Sequence, residues 1–282
     1  MKILVACEYS GTVRARSGGL SQGGIMQNLT HGSLFSGVGG FELGARMSGI
    51  ETLWNCEFES HNRDILQKHF PETMQFTDVR TLSNPPKVDI ISGGFPCQDL
   101  SICNVSKKSF DKNGKSIGLK GERSGLWAEM FRIIRQLRPG YVLIENSPML
   151  LIRGFETVLF NLSEIGYVCE WQCLSASQFG YNHKRERFFG IAYPVQKRCK
   201  NNTSAFRELS EILLKQISRQ NPLSSPIKRI NSQSNYAALR MDDGFSAELD
   251  KTRIEMMGDT VIPEIAHYLF ECVKLHAIAA NY

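Results

Sequence analysis

Ser33-Leu34-Phe35-Ser36-Gly37-Val38-Gly39-Gly40-Phe41 decides the fold. Ser33 to Phe35 reads as a short strand, and the glycines after it form a turn that side chains would crowd. Phe41 to Ser48 then reads as a helix with Phe41, Leu43, Gly44 and Met47 on its apolar face. Strand, Gly-rich turn and helix in that order open a β-α-β unit that binds an anion or a nucleoside at the start of its helix. The spacing Gly37-x-Gly39-Gly40 is not the dinucleotide pattern, because the third glycine is displaced.

Working outward, the same alternation continues. Glu51 to Cys56 is a second strand and ends at Glu57. A helix over His61 to Phe70 is stopped by Pro71, and Met74 to Thr77 is a third strand ending at Asp78. Val88 to Ile91 is a fourth, followed by Gly93-Gly94-Phe95-Pro96-Cys97-Gln98-Asp99-Leu100-Ser101. The two glycines are expected to turn the chain sharply out of the sheet. That places the Cys97 thiol at the carboxyl end of a strand, where open α/β sheets bind their ligands. Ile102 to Gly125 is a polar, basic loop. A helix spans Leu126 to Leu137, ended by Arg138-Pro139-Gly140. Tyr141 to Ile144 is a strand leading into Glu145-Asn146, and a further helix covers Phe155 to Ile165. Tyr167 to Cys173 and Arg187 to Tyr193 are two more strands. The whole reads as a doubly wound α/β sheet. After Pro194 the chain turns polar, with one amphipathic helix over Phe206 to Ser218 and a final helix from about Pro263 to Ala279.

The totals fit a globular chain: 282 residues, 42% hydrophobic and 22% charged, with no apolar run near the length of a membrane span. Eight scattered cysteines point to a reduced, cytoplasmic protein without structural zinc. The opening residues, Met1 to Ala6, are too short and weakly flanked for a signal peptide. The net charge of +5 is unevenly spread. Residues 180–230 hold eleven Lys or Arg against three Glu, and residues 101–123 hold six against two acids. Both stretches flank the Cys97 edge and favour a polyanionic partner.

The polar residues at strand ends suggest a site. Glu57 is placed to accept ribose hydroxyls and Asp78 to face an adenine amino group, so a nucleoside cofactor is expected. Cys97 and Glu145 should face one cleft as nucleophile and acid. In Lys184-Arg185-Glu186-Arg187, strand alternation points Arg185 and Arg187 the same way, a pair suited to phosphate or a carbonyl oxygen.

These residues carry a resemblance. The chain from about Thr30 to Tyr193, and again from Arg240 to about Leu275, resembles the DNA (cytosine-5) methyltransferases of phage and bacterial type. Phe35 to Gly40 is similar to that family's first motif and Gly94-Phe95-Pro96-Cys97-Gln98 to its nucleophile motif. Glu145-Asn146 and Lys184 to Arg187 resemble its glutamate and arginine motifs, and Gly258-Asp259-Thr260-Val261-Ile262-Pro263 its last motif.

The resemblance implies a Rossmann-like, mostly parallel methyltransferase sheet with a small target-recognition insertion, and S-adenosyl-L-methionine as cofactor. Phe35, Gly37, Val38 and Gly40 would line its pocket together with Pro96. Glu57 would hold the ribose, Phe58 would stack on adenine, and Asp78 and Val79 would read the adenine edge. Asp259 and Val261 would close the methionine end. Cys97 would add to carbon 6 of a flipped-out cytosine, with Glu145 on the ring nitrogen and exocyclic amine. Arg187 would hold the carbonyl oxygen, and Arg185 would orient the site or touch backbone phosphate. Gln98, Ser101 and Lys184 would contact double-stranded DNA.

The implied organisation is an N-terminal extension at 1–29, partly disordered, then a catalytic domain at 30–193. A short recognition region at 194–250 and a segment at 251–282 returning to the catalytic domain follow. The chain is expected to act as a monomer in the cytoplasm, alone or beside a cognate restriction endonuclease.

Five positions depart from the family pattern: Ser33 for an acidic residue, Ser147 for valine, Asn182 and His183 for proline and glutamine, and Asp259 for asparagine. Only about 46 residues separate Tyr193 from Arg240, a short span for base-edge readout. A relative that methylates RNA, and a DNA-binding relative without catalysis, both share these features. A zinc deaminase does not, because no histidine is followed by x-Glu and five residues separate Cys97 from Cys103.

Overall fold

A computed structural model describes residues 29–96, 125–197, 204–206 and 260–280. Cys97, Gln98, Ser101 and Asp259 lie outside the described residues. So do the extension before residue 29, the basic stretch 101–123 and the helix expected after Phe206.

Among the described residues seven strands form one sheet in the order β3-β2-β1-β4-β5-β7-β6. They are β1 (Thr30–Leu34), β2 (Glu51–Cys56), β3 (Met74–Phe76), β4 (Ile90–Gly94), β5 (Tyr141–Asn146), β6 (Tyr167–Ser175) and β7 (Glu186–Pro194). β1 to β5 are mutually parallel, so their carboxyl ends share one edge. β7 inserts between β5 and β6 and is antiparallel to both. The start of β7 therefore reaches that same edge.

The helices are α1 (Gly40–Met47), α2 (Ser60–His69), α3 (Leu126–Leu137), α4 (Leu150–Arg153), α5 (Phe155–Glu164) and α6 (Pro263–Ala280). Two apolar cores lie on the two faces of the sheet. One joins Leu34, Ile91, Val142 and Ile144 to Met130 and Ile134 of α3 and to Val158 and Leu162 of α5. The other joins Ile90, Leu143 and Ile191 to Phe41 and Ala45 of α1 and to Leu269 and Val273 of α6. This is the doubly wound arrangement, helix layers on both faces of a mostly parallel sheet. Among the described residues no helix is long and apolar enough to cross a membrane.

The structure corrects three local expectations. Gly93 and Gly94 do not leave the sheet; they stay in β4 opposite Ile144 and Glu145 of β5. A Cβ at Gly93 would lie 3.0 Å from the Met130 sulfur, and one at Gly94 would lie 2.6 Å from Glu145 Oε2. The glycines serve close packing rather than a turn. α1 buries Gly40, Phe41, Glu42, Gly44 and Ala45, while Met47 is 46% exposed. The cause is α6, whose Ala266 backbone and Cβ press on Gly44 and rotate that face inward. β5 runs on through Glu145 and Asn146, because β7 offers Phe189 and Phe188 as ladder partners.

Candidate active site

At the shared edge the chain leaves β1 through Phe35 at φ +55°, Gly37 at +54° and Gly39 at +95°. Glycine takes such values without steric cost, whereas Phe35 holds one as a side-chain-bearing residue. The turn is closed by Gly39 N–H donating to the Ser36 carbonyl at 3.0 Å, and Ser36 Oγ donates to Ser33 Oγ at 3.0 Å. Val38 is half-buried.

Glu57 ties this turn to the next one. Its Oε2 accepts from Gly37 N–H at 2.7 Å and its Oε1 from Glu59 N–H at 2.9 Å and Asn62 Nδ2 at 3.3 Å. The carboxylate is thereby fixed at the mouth of β1 and β2, and it occupies the N–H that a bound phosphate would need. Negative charge already sits there, so the turn favours a nucleoside without phosphates. Beside it Phe58 is 63% exposed, with the Arg80 guanidinium 5.6 Å from its ring centre. Arg80 donates to both oxygens of Asp78, at 3.0, 3.1 and 2.7 Å, and so holds that carboxyl below its usual range. Val79, next in the chain, is buried.

The other half of the edge is built from β4, β5 and β7. Gly94 lies opposite Glu145 in the ladder, and Arg187 Nε stands 3.2 Å from Glu145 Oε1. Asn146 Nδ2 donates to the Phe95 carbonyl at 3.1 Å, fixing the backbone just before Pro96, which is half-buried. Arg185 Nη1 donates to the Thr260 carbonyl at 2.8 Å, and Tyr181 OH donates to Glu264 at 2.7 Å. These bonds bring the start of α6 to the edge. Val261 then meets the Gly-rich turn so closely that a Cβ at Gly40 would lie 2.2 Å from its carbonyl oxygen. Glu145, Arg185, Arg187, Thr260 and Val261 line one cleft. Lys184 is exposed beside it.

The structure thus brings Phe35, Gly37, Gly40, Glu57, Phe58, Asp78 and Val79 to one side of the edge, with Val261 reaching from the Gly-rich turn into the cleft beside it. Glu145, Arg185 and Arg187 stand on the other. Sequence reasoning missed Asn62 and Thr260. Asn62 follows Glu57 by five residues in the first turn of α2, a place with no pattern of its own. Thr260 acts through its carbonyl, which any residue type could supply.

Residues 29–261 match the C-5 cytosine-specific DNA methylase family. The chain belongs to that family. Among its relatives, the type II methyltransferase M.CviJI of a Paramecium bursaria Chlorella virus is 33% identical over 242 residues, 84% of this chain and 57% of that protein. M2.BsuMI of Bacillus subtilis is 34% identical over 168 residues, covering 57% of this chain and 41% of its own length. The chain therefore spans about half the length of these relatives. The solved structure of the Entamoeba histolytica methyltransferase EhMeth superposes with a TM-score of 0.50 at 19% identity, over 64% of this chain and 55% of that one. That likeness bears on the fold.

Proposed function

We propose that this chain is a DNA cytosine-5 methyltransferase, with S-adenosyl-L-methionine as cofactor and double-stranded DNA as substrate. The observation that carries the reading is the meeting of Glu145, Arg187 and Gly94 at one point of the sheet edge. Three residues further along the chain stands Cys97.

The residues on the β1–β3 side fit the cofactor. The Glu57 carboxylate, held by two backbone N–H groups and the Asn62 amide, keeps a lone pair on Oε2 for a ribose hydroxyl. Phe58 offers an exposed face for adenine, and Asp78 with Val79 stands at the adenine edge. Phe35, Val38, Gly37, Gly40 and Val261 close the remaining wall, with Pro96 and Asp259 completing it. The cofactor supplies, when bound, an electrophilic methyl group on a sulfonium.

The chain's own residues prepare the acceptor. Carbon 5 of cytosine is a poor nucleophile. The Cys97 thiolate adds to carbon 6 and loads carbon 5 with electron density. Glu145 holds the ring nitrogen and exocyclic amine of the base as that charge develops. Arg187 orients Glu145 and reaches the base carbonyl oxygen, while Arg185 holds the Thr260 segment against the cleft. Once carbon 5 carries the methyl group, loss of its proton to solvent water restores the 5,6 double bond and expels Cys97 as the thiolate. A stacked base presents neither face to Cys97, so the cytosine is flipped out of the duplex. Gln98, Ser101 and Lys184 contact the DNA around it.

Catalysis belongs to residues 30–193 and 251–282, recognition to 194–250, and 1–29 is an extension. The type II designation of the relatives extends the proposal to a cognate restriction endonuclease, with this chain acting as a cytoplasmic monomer. The test is transfer of labelled methyl to duplex DNA and, separately, to tRNA. Label in DNA, abolished by Cys97→Ala with cofactor binding retained, is the expected result. Label in tRNA alone, or turnover by Cys97→Ala, contradicts it.

A further inference from the structure

We propose that Arg132 is a positioning residue for the adenine side of the cofactor site. The proposal rests on the assignment of S-adenosyl-L-methionine to the β1–β3 side of the sheet edge. Arg132 stands in the middle of α3, on the helix that follows the Cys97 loop in the chain. Its side chain is spent almost entirely on another part of the molecule. Nη2 donates to the Val79 carbonyl at 2.8 Å and Nη1 to the Leu82 carbonyl at 3.1 Å, while Nε donates to Glu129 at 2.8 Å.

The two carbonyls belong to the turn that presents Asp78 and Val79. Within it Thr81 N–H donates to the Asp78 carbonyl at 3.1 Å and Leu82 N–H to the Val79 carbonyl at 3.3 Å. Val79 and Leu82 are buried in the same core as α3. The turn therefore hangs from the helix by its apolar side chains and by one guanidinium. A planar fork can hold two carbonyls at fixed spacing, which the point charge of lysine cannot. Glu129, one turn earlier on α3, keeps the fork aimed.

The same helix also fixes the other half of the site. Trp127 packs on Phe95 with ring centres 5.4 Å apart, and Met130 lies against Gly93 at the end of β4. Helix α3 is thus a rigid bar between the strand that leads to Cys97 and the turn that faces adenine. Arg132 is its grip on the adenine end.

The consequence is specific to the base of the cofactor. If the turn is set by Arg132, loosening it blunts adenine recognition while the ribose anchor at Glu57, which Arg132 does not touch, stays intact. The test measures binding of S-adenosylhomocysteine and of its inosyl analogue by calorimetry, on the full chain. The analogue replaces the exocyclic amine of adenine with a carbonyl. Arg132→Met removes the donors at similar length. It is expected to weaken S-adenosylhomocysteine about tenfold and the inosyl analogue little, so that the wild-type preference collapses. Arg132→Lys, which restores one carbonyl bond, is expected to hold an intermediate preference and carries the test if the Met variant does not fold. Glu129→Gln, which keeps both carbonyl bonds, should retain most of the preference. Equal weakening of both ligands by Arg132→Met, or an unchanged preference in Arg132→Met or Arg132→Lys, overturns the proposal while leaving the cofactor reading in place. Failure of the wild-type chain to bind either ligand overturns both.

Discussion

Glu42 and His31 are fully buried between the sheet and the α1–α6 layer, and their titrations oppose each other. Burial pushes the Glu42 carboxyl up to about 7 and pushes the His31 imidazole down to about 3. His31 is held by Thr52 at 2.9 Å and Ser92 at 2.7 Å, with the Phe270 ring edge against it. A raised carboxyl contributes stability that is full below its unfolded value near 4.5 and lost as pH rises to about 7. A depressed histidine contributes stability present above 6.5 and lost as pH falls toward 3. Between 4.5 and 6.5 the two slopes cancel in part. Glu42→Gln keeps the neutral shape and removes the charging cost, which is about 3 kcal/mol above pH 7. Denaturant unfolding should show that variant more stable than wild type at pH 8 and nearly equal at pH 5. A difference independent of pH would contradict it. Gly94 makes a second residue-level prediction. In Gly94→Ala the new Cβ displaces the Glu145 carboxylate, the flexible end of a side chain, rather than backbone. Tm and cofactor affinity should change little, while kcat falls about 100-fold. The strand-end positions of Glu57, Asp78 and Glu145 were legible because the carboxyl ends of parallel strands gather at one edge. The glycines were misread, because a close approach from Glu145, fifty residues on, leaves no local mark.

Among the elements, α3 shows what periodicity can deliver. Its apolar spacing and the Arg138-Pro139-Gly140 stop predict Leu126 to Leu137, and those are its bounds. Helix α1 shows where periodicity fails. Its packing is decided by Gly40 and Gly44, which let α6 approach to contact distance, and no pattern within α1 announces that partner. A Cβ at Gly44 would lie 2.4 Å from Ala266 Cβ and 2.7 Å from His267 N. Backbone cannot yield as a side-chain tip does, so overpacking of about 1–3 kcal/mol outweighs the roughly 1 kcal/mol that alanine adds to helix propensity. Gly44→Ala should lower Tm and, because the start of α6 carries Thr260 and Val261, also weaken cofactor binding. An unchanged Tm would show that α6 does not bear on α1 in solution. Helix α4 went unread for a related reason: four residues after a strand carry too little pattern to separate a helical turn from a loop.

At the scale of the molecule, the order of strands and helices was readable, and the insertion of β7 between β5 and β6 was not. That placement joins segments about forty residues apart, and only the tertiary contact of Phe188 and Phe189 with Asn146 and Glu145 fixes it. The same insertion carries Arg185 and Arg187 to the edge shared by Glu145 and the end of β4. In the proposed reading one half of the sheet edge is assigned to a nucleoside and the other to a base, with α3 and α6 spanning between them. The central claim is that these halves together modify carbon 5 of cytosine in DNA. Bisulfite sequencing of DNA from cells expressing the chain tests it most directly. Protection of cytosines within one short recurring sequence, lost with Cys97→Ala, is the predicted result. Uniform conversion of all cytosines by an expressed, folded chain would contradict it.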